Sequence, residues 1–355
     1  MAENFLVEEE DFDEPRHQIR MEQLRIQEQL GDKIFYVFHR GELRNGDRRL
    51  EVVVKGPANR NDGIQKAMVS AEIRLLIEIQ KHPNILGFVG VAMEEGPHVS
   101  SVFEFATKGG LRKFLRDSEA QGKFINQMVE EDNDGFEMVN MGNNQNNSNN
   151  ERCVIKNDPD AIYISDLVGF GYQIANCMKF LAGLKYVHRQ LALRGMYITT
   201  NNIIRVGDLG LARNNEQKQY YRIANPKNPL PFHTTAPEAL TKHKFTQASD
   251  VWSFGCCLYE IFTFARTPLY ENGLDVLKYL EEGNRLPKPD YCPEELYKFI
   301  LKCWAWDPEE RPTFEQCVDF LEQYLDRHAP QVLRKVRENL EAASEFQRTL
   351  EDWVR

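Results

Sequence analysis

The residues His188-Arg189-Gln190-Leu191-Ala192-Leu193-Arg194-Gly195 have the spacing of a loop that transfers phosphoryl groups, but two of them lack the groups that chemistry uses. Such a loop needs a carboxylate to accept the proton of the attacking hydroxyl and, five residues on, an amide oxygen to hold a magnesium ion. Gln190 is a neutral amide that takes no proton at physiological pH, and Gly195 has no side chain to offer a metal. Losing a general base costs roughly 10²–10⁴ in rate. A further carboxylate, Asp208 in Asp208-Leu209-Gly210, follows downstream.

The 355 residues carry 44 basic and 54 acidic side chains, a net charge of −10, with 42% hydrophobic content. That is ample for a buried core, and the charge argues against nucleic acid or an anionic membrane as the main partner. Two acidic runs stand out, Glu3 to Glu14 and Glu130 to Glu137. Seven cysteines, an odd set with no C-x-x-C pair, suit reduced thiols in a cytosolic setting better than a disulfide framework or a zinc site. No run of eighteen apolar residues occurs and the N-terminus is acidic. The expected location is therefore cytoplasmic, as a free protein or as the intracellular part of a longer membrane receptor.

Residues 1–20 read as an acidic, flexible lead-in. Strand patterns follow at Ile34 to Arg40, Glu51 to Lys55 and Val99 to Phe105, with a helix over Ile64 to Gln80 whose Ile73, Leu76 and Ile77 share a face. Beyond Gly110 helical patterns dominate: Asp166 to Leu184, Asp250 to Thr263, Asp275 to Glu282, Glu294 to Trp304 and Phe314 to Leu325. They are interrupted by an insert at about 118–160. Within it, Glu130 to Asn150 combines an acidic cluster with an Asn-rich run that has almost nothing to bury, so disorder is expected. The sequon Asn146-Asn147-Ser148 lies there and would go unused in the cytosol. A last helix over 330–355 carries Leu333, Val336, Leu340, Ala343, Leu350 and Val354 on one side, with Gln347 breaking the stripe. That face either packs on its own domain or receives a partner.

Five further motifs occur in order around the His188 loop: Val52-Val53-Val54-Lys55, Asp208-Leu209-Gly210, Ala236-Pro237-Glu238, Asp250-Val251-Trp252-Ser253-Phe254-Gly255 and Arg311-Pro312-Thr313-Phe314. The series resembles the protein tyrosine kinases, in particular the split kinase domains of fibroblast and vascular growth factor receptors, from about Leu30 to Asp326. Arg194, two residues after Ala192, is the tyrosine-kinase form of the loop. The resemblance implies an α+β, bilobal fold over 21–329, with a small antiparallel sheet and one helix at about 21–105 and a larger helical lobe at about 106–329. It implies that Glu72 pairs with Lys55 to hold it against the phosphates of ATP, and that Asp208 is the single remaining magnesium ligand. It also implies structural duties: a buried Glu238–Arg311 pair, and a packed column of Leu76, His188, Leu209 and Asp250 joining the lobes.

Departures from the family pattern set the functional expectation. The glycine-rich phosphate loop falls on Gly31-Asp32-Lys33-Ile34-Phe35-Tyr36, where only Gly31 survives, and side chains at Lys33 and Tyr36 should block the close approach of backbone to phosphate. Phe38, Val53 and Tyr197 stand where the family has smaller residues around adenine, and Phe103 at the back wall is also large. Overfilling of this kind costs roughly 1–3 kcal/mol per poor fit. Thr234-Thr235 replaces the Trp-Met pair of the peptide platform. Tyr220 and Tyr221 resemble paired activation-loop tyrosines, with Arg189, Arg213 and Arg222 as candidate receivers of phosphate; Tyr270-Glu271-Asn272 has the form of an adaptor motif. The reading is a pseudokinase with no functional catalytic residue and no cofactor, ATP and magnesium binding weakly at most. It would act on protein partners such as an active kinase or a receptor-type dimer partner. A weak tyrosine kinase and a non-catalytic nucleotide switch are the alternatives.

Overall fold

The computed structural model describes residues 17–32, 35–93, 99–132, 135–139, 161–214, 221–222, 233–266 and 276–354. Its small lobe is a six-stranded sheet in the order β1-β5-β6-β4-β3-β2, formed by Gln18–Ile19 (β1), Leu24–Asp32 (β2), Tyr36–Asn45 (β3), Arg48–Pro57 (β4), Phe88–Met93 (β5) and Val99–Glu104 (β6). All neighbours run antiparallel except β1 beside β5. Gly46, at φ +60°, makes the tight reversal between β3 and β4. The helix Gly63–Glu78 (α1) is capped by Asp62, which accepts from the N–H groups of Ile64 and Gln65. It buries Met68, Val69, Glu72 and Ile73 against the sheet.

The large lobe is built from Leu111–Ala120 (α2), Ile164–Gly183 (α3), Pro237–Lys242 (α4), Gln247–Phe262 (α5), Val276–Glu281 (α6), Glu294–Cys303 (α7), Phe314–His328 (α8) and Pro330–Thr349 (α9). α3 and α5 are buried almost all round, as central helices must be. Capping boxes at Thr246/Ser249 and Thr313/Gln316 start α5 and α8. Six cysteines, Cys177, Cys256, Cys257, Cys292, Cys303 and Cys317, are free and buried, in keeping with reduced thiols. Among the described residues no helix is long and apolar enough to cross a membrane, and no cluster of His, Cys, Asp or Glu could hold a metal ion.

Two expectations about organisation change. The lead-in is shorter than 1–20, because Gln18–Ile19 joins the sheet and Ile19 is buried in it. The insert does not begin at 118: α2 runs to Ala120, Phe124 packs edge-on to Phe264 and Tyr291, and Met128–Asp132 pairs with Gly135–Val139 in a hairpin. Aromatic anchoring and a buried Met128 order that first part. Residues 140–160, with the Asn-rich run and the sequon, lie outside the described residues, as does Tyr270-Glu271-Asn272. Of the two readings of the C-terminal helix, the structure shows packing on its own domain: α9 lies on α3 and α8 and contributes Leu333 and Leu340 to the main core.

Candidate nucleotide site

Lys55 lies near the end of β4, where the strand's alternation turns it toward α1 and the cleft. Its ammonium donates to both carboxylate oxygens of Glu72, at 2.9 and 2.8 Å, and to Asp208 Oδ1 at 3.2 Å. The ammonium is thus held between the carboxylates of Glu72 and Asp208 inside the protein. Exposures of 2%, 1% and 5% for Lys55, Glu72 and Asp208 show how dry the cluster is. Burial alone would depress the lysine pKa, but the charges of Glu72 and then Asp208 outweigh it and hold the ammonium protonated. Glu72 also accepts from the backbone N–H of Leu209 at 2.9 Å, which ties α1 to the Asp208 turn.

Tyr36 closes over this cluster. Tyr36, at the position of the phosphate loop's last glycine, is 2% exposed, and the Lys55 ammonium stands 3.8 Å from the centre of its ring. Phe38 and Phe103 lie at 5.9 and 6.0 Å from the same nitrogen. Three rings and two carboxylates therefore surround the Lys55 ammonium. Tyr36 reaches so far in that a Cβ on Gly210 would lie 2.5 Å from its hydroxyl oxygen, so only glycine fits after Leu209. That hydroxyl has no hydrogen-bond partner among the described residues. Burial, then the charges of Glu72 and Asp208, push its pKa well up and keep it neutral.

The floor and the loop complete the picture. Tyr197 packs its ring edge against Gly207, where a Cβ would be 3.2 Å away, and Val53 pairs with Phe103 across β4 and β6. A Cβ on Gly195 would sit 3.0 Å from Asp208 Oδ2, so the carboxylate leans toward the place where the family's metal-binding side chain would start. Gln190 is half-buried with its side-chain oxygen unpartnered among the described residues. His188 and Arg189 give their backbone N–H groups to the two oxygens of Asp250, at 2.7 and 2.9 Å. Burial pushes His188 down to about 4, leaving it neutral, and raises Asp250 to about 7 against the pull of those two N–H groups. Tested as a cradle for a triphosphate with magnesium, these residues do not fit. The ring of Tyr36 fills the space beside the lysine, and the second metal ligand is missing.

The remaining predicted positions fall into place unevenly. Glu238 and Arg311 form a bidentate pair at 2.7 and 2.9 Å, and Arg311 also donates to the carbonyls of Ala248, Ala305 and Trp306. Leu209 is buried and Leu76 packs against both the large-lobe core and the α1 cluster, as a column joining the lobes requires. Gly31 closes no contact, and Lys33 lies outside the described residues, as does Tyr220. Tyr221–Arg222 pairs with Lys244–Phe245 in a short ladder. Arg189 donates to the carbonyl of Leu211, and Arg213 to those of Gly210 and Ala212. Sequence reasoning missed a buried polar group under the cleft: Arg205 pairs with Glu104 at 2.9 Å, and Glu104 accepts from Gly87 N–H at 2.7 Å. Its only signal was a charge inside the apolar run Ile203-Ile204-Arg205-Val206.

The model of the protein tyrosine and serine/threonine kinase family matches residues 24–321. The chain belongs to that family. This kinase domain is 36% identical over 321 residues to the tyrosine-protein kinase receptor ver-3 of Caenorhabditis elegans, covering 86% of this chain and 26% of that protein. It is 34% identical over 342 residues to the tyrosine-protein kinase receptor old-1 of the same worm, covering 92% and 62%. A fibroblast growth factor receptor of Halocynthia roretzi is 31% identical over 325 residues, covering 89% and 40%. The kinase domain thus spans about a quarter to three fifths of these relatives, all named as tyrosine kinases or growth factor receptors.

Proposed function

We propose that the chain is a catalytically inactive tyrosine-kinase-like protein that acts by protein–protein contact, as an allosteric partner or scaffold on the cytoplasmic side. The observation that carries this reading is the Tyr36 ring seated 3.8 Å from a Lys55 ammonium that Glu72 and Asp208 hold from the other side. Gln190 and Gly195 support it independently, since neither can do the work of a base or a metal ligand. Phe38, Phe103 and Tyr197 narrow what is left of the adenine pocket. Meanwhile Glu238–Arg311 and the Asp250 contacts keep the scaffold rigid enough to present surfaces. Partners are an active kinase or a receptor-type dimer partner, and phosphorylation of Tyr220 and Tyr221 by such a kinase would add about −1.5 to −2 charges per site beside Arg222.

The test is phosphate transfer from labelled ATP to a tyrosine-containing peptide by purified protein, with Lys55→Met as the control for contaminating kinases. The reading predicts the same background for both proteins. Transfer by the wild type that disappears in Lys55→Met would favour the weak-kinase alternative, to which the retained Lys55, Glu72 and Asp208 lend their support.

A further inference from the structure

The small-lobe sheet is buried on both faces, although an antiparallel sheet can leave one face to water. α1 and the cleft residues cover one side. The other carries Leu43, Val52, Val54, Val89 and Val102, each no more than 2% exposed. What covers them comes from the far end of the chain: Leu350 and Trp353, in the 3₁₀ turn Leu350–Trp353, join Ile19 and Leu24 in a single apolar cluster. Leu350 is 0% exposed, and its Cδ1 would be 2.8 Å from a Cβ on Gly87 of the segment entering β5.

That turn is the end of a helix held by the other lobe. α9 lays Val332 and Val336 over Gly169 of α3, at 3.8 and 3.6 Å from an ideal Cβ there, and Asn339 donates to the carbonyl of Asn201 at 3.2 Å. Twenty residues of helix span about 30 Å, enough to run from one lobe to the other. At the crossing, Gln347 breaks the apolar stripe for a reason: it is 2% exposed and donates from Nε2 to the carbonyl of Ile85 at 2.7 Å. Its own carbonyl accepts from Lys81 Nζ at 2.9 Å, and Lys81 also reaches Glu351 at 3.5 Å. Ile85 belongs to the joint where the lobes exchange backbone hydrogen bonds, Leu86 N–H to Val206 O and Val206 N–H to Asn84 O. Beyond the crossing, Asn45 donates to the carbonyl of Asp352 at 3.2 Å and the Arg48 guanidinium stacks 4.4 Å from the Trp353 ring.

We infer that residues 347–354 are a strap: an intramolecular ligand whose Leu350 and Trp353 occupy a docking groove on the outer face of the small-lobe sheet, and whose anchoring through α9 fixes the angle between the lobes. The groove takes a helical turn with leucine and tryptophan three residues apart and an amide side chain one turn before the leucine, and it supplies Arg48 over the indole. The strap lies on the face of the sheet away from the cleft and operates whether or not nucleotide enters.

The experiment is hydrogen exchange of the full chain carrying Leu350→Asp and Trp353→Ala. The strap predicts that amides of the joint, Leu86 and Val206, and of β5 exchange at least about tenfold faster, while those of α5 are unchanged. A synthetic peptide of residues 345–354, added in excess, should restore slow exchange in β5 but not at the joint, because it lacks the α9 anchor; rescue of the joint by the free peptide would overturn the anchoring. Acceleration confined to residues 347–354, with the joint and β5 untouched, would overturn the proposal. Should the double variant fail to fold, Gln347→Ala removes only the pin on Ile85. Faster exchange at Leu86 in that variant sustains the strap, and unchanged exchange there contradicts it.

Discussion

Two buried ion pairs in this molecule have the same ingredients and opposite consequences. In the large lobe, Arg311 meets Glu238 through two parallel hydrogen bonds and spends its other donors on backbone carbonyls, so the pair welds α4 to the start of α5 and the loop before α8. In the cleft, Lys55 meets Glu72 and Asp208, but on the proposed reading the consequence is set by what else reaches the cation. Tyr36 then covers the lysine's remaining face. A motif can therefore be intact in sequence and still be spent in structure. What decides is whether its polar groups end on the protein or remain available to a ligand.

The contrast can be attacked from its strongest side first. Arg311→Ala leaves Glu238 buried without its partner and should lower stability by about 3–5 kcal/mol in an equilibrium denaturation; a loss below 1 kcal/mol would mean the large-lobe pair is no weld. Tyr36→Ala should cost about 3 kcal/mol for the ring it removes, yet it alone should give the cleft a measurable affinity for ATP. A variant that is destabilised and still blind to ATP would shift the blame to Phe38, Val53 and Tyr197. Tyr36→Phe tests the same ring without the hydroxyl. Because that oxygen has no partner among the described residues, stability should change by less than about 1 kcal/mol and ATP should remain excluded. Restoring the two polar groups together, Gln190→Asp with Gly195→Asn, should leave the protein without nucleotide binding for as long as Tyr36 stays.

The smallest expected effect is on pH dependence. Burial, and secondarily Arg205, pushes His82 down to about 4, where it stacks on Phe180 at 4.7 Å and accepts from the N–H of Asn84. An unfolded histidine takes a proton near 6.5. The folded form binds it only near 4, so this contribution to stability is complete above 6.5 and is lost as pH falls toward 4. His82→Phe keeps the stack and should flatten stability across that window; an unaltered slope would remove His82 from the account.

The lysine, its glutamate, the Asp208 turn and the Arg311 pair were legible because each is a short motif with a fixed neighbour. Tyr36 was legible as an obstacle, though not as a ring placed over Lys55, since a rotamer settles that. β2 was missed because Leu24-Arg25-Ile26-Gln27-Glu28-Gln29-Leu30 is rich in residues that prefer helix, and only pairing with β3 makes it a strand. The pairing of Met128–Asp132 with Gly135–Val139 hid within an acidic stretch whose composition signals disorder. Gln347 read as a flaw in an amphipathic helix, when a polar residue in an apolar stripe can equally mark the point where the helix crosses a backbone carbonyl. Glu104 and Arg205 sit about a hundred positions apart, and no local pattern joins them.

The central claim is that the protein closes its own nucleotide site. It is tested most directly by melting the purified wild-type chain with millimolar ATP, with and without magnesium, beside Tyr36→Ala. Ligand at about 100 times its Kd stabilises by roughly 2.7 kcal/mol, well within reach of the method. The account predicts no shift for the wild type under either condition and a shift for Tyr36→Ala. A magnesium-dependent shift in the wild type would contradict it.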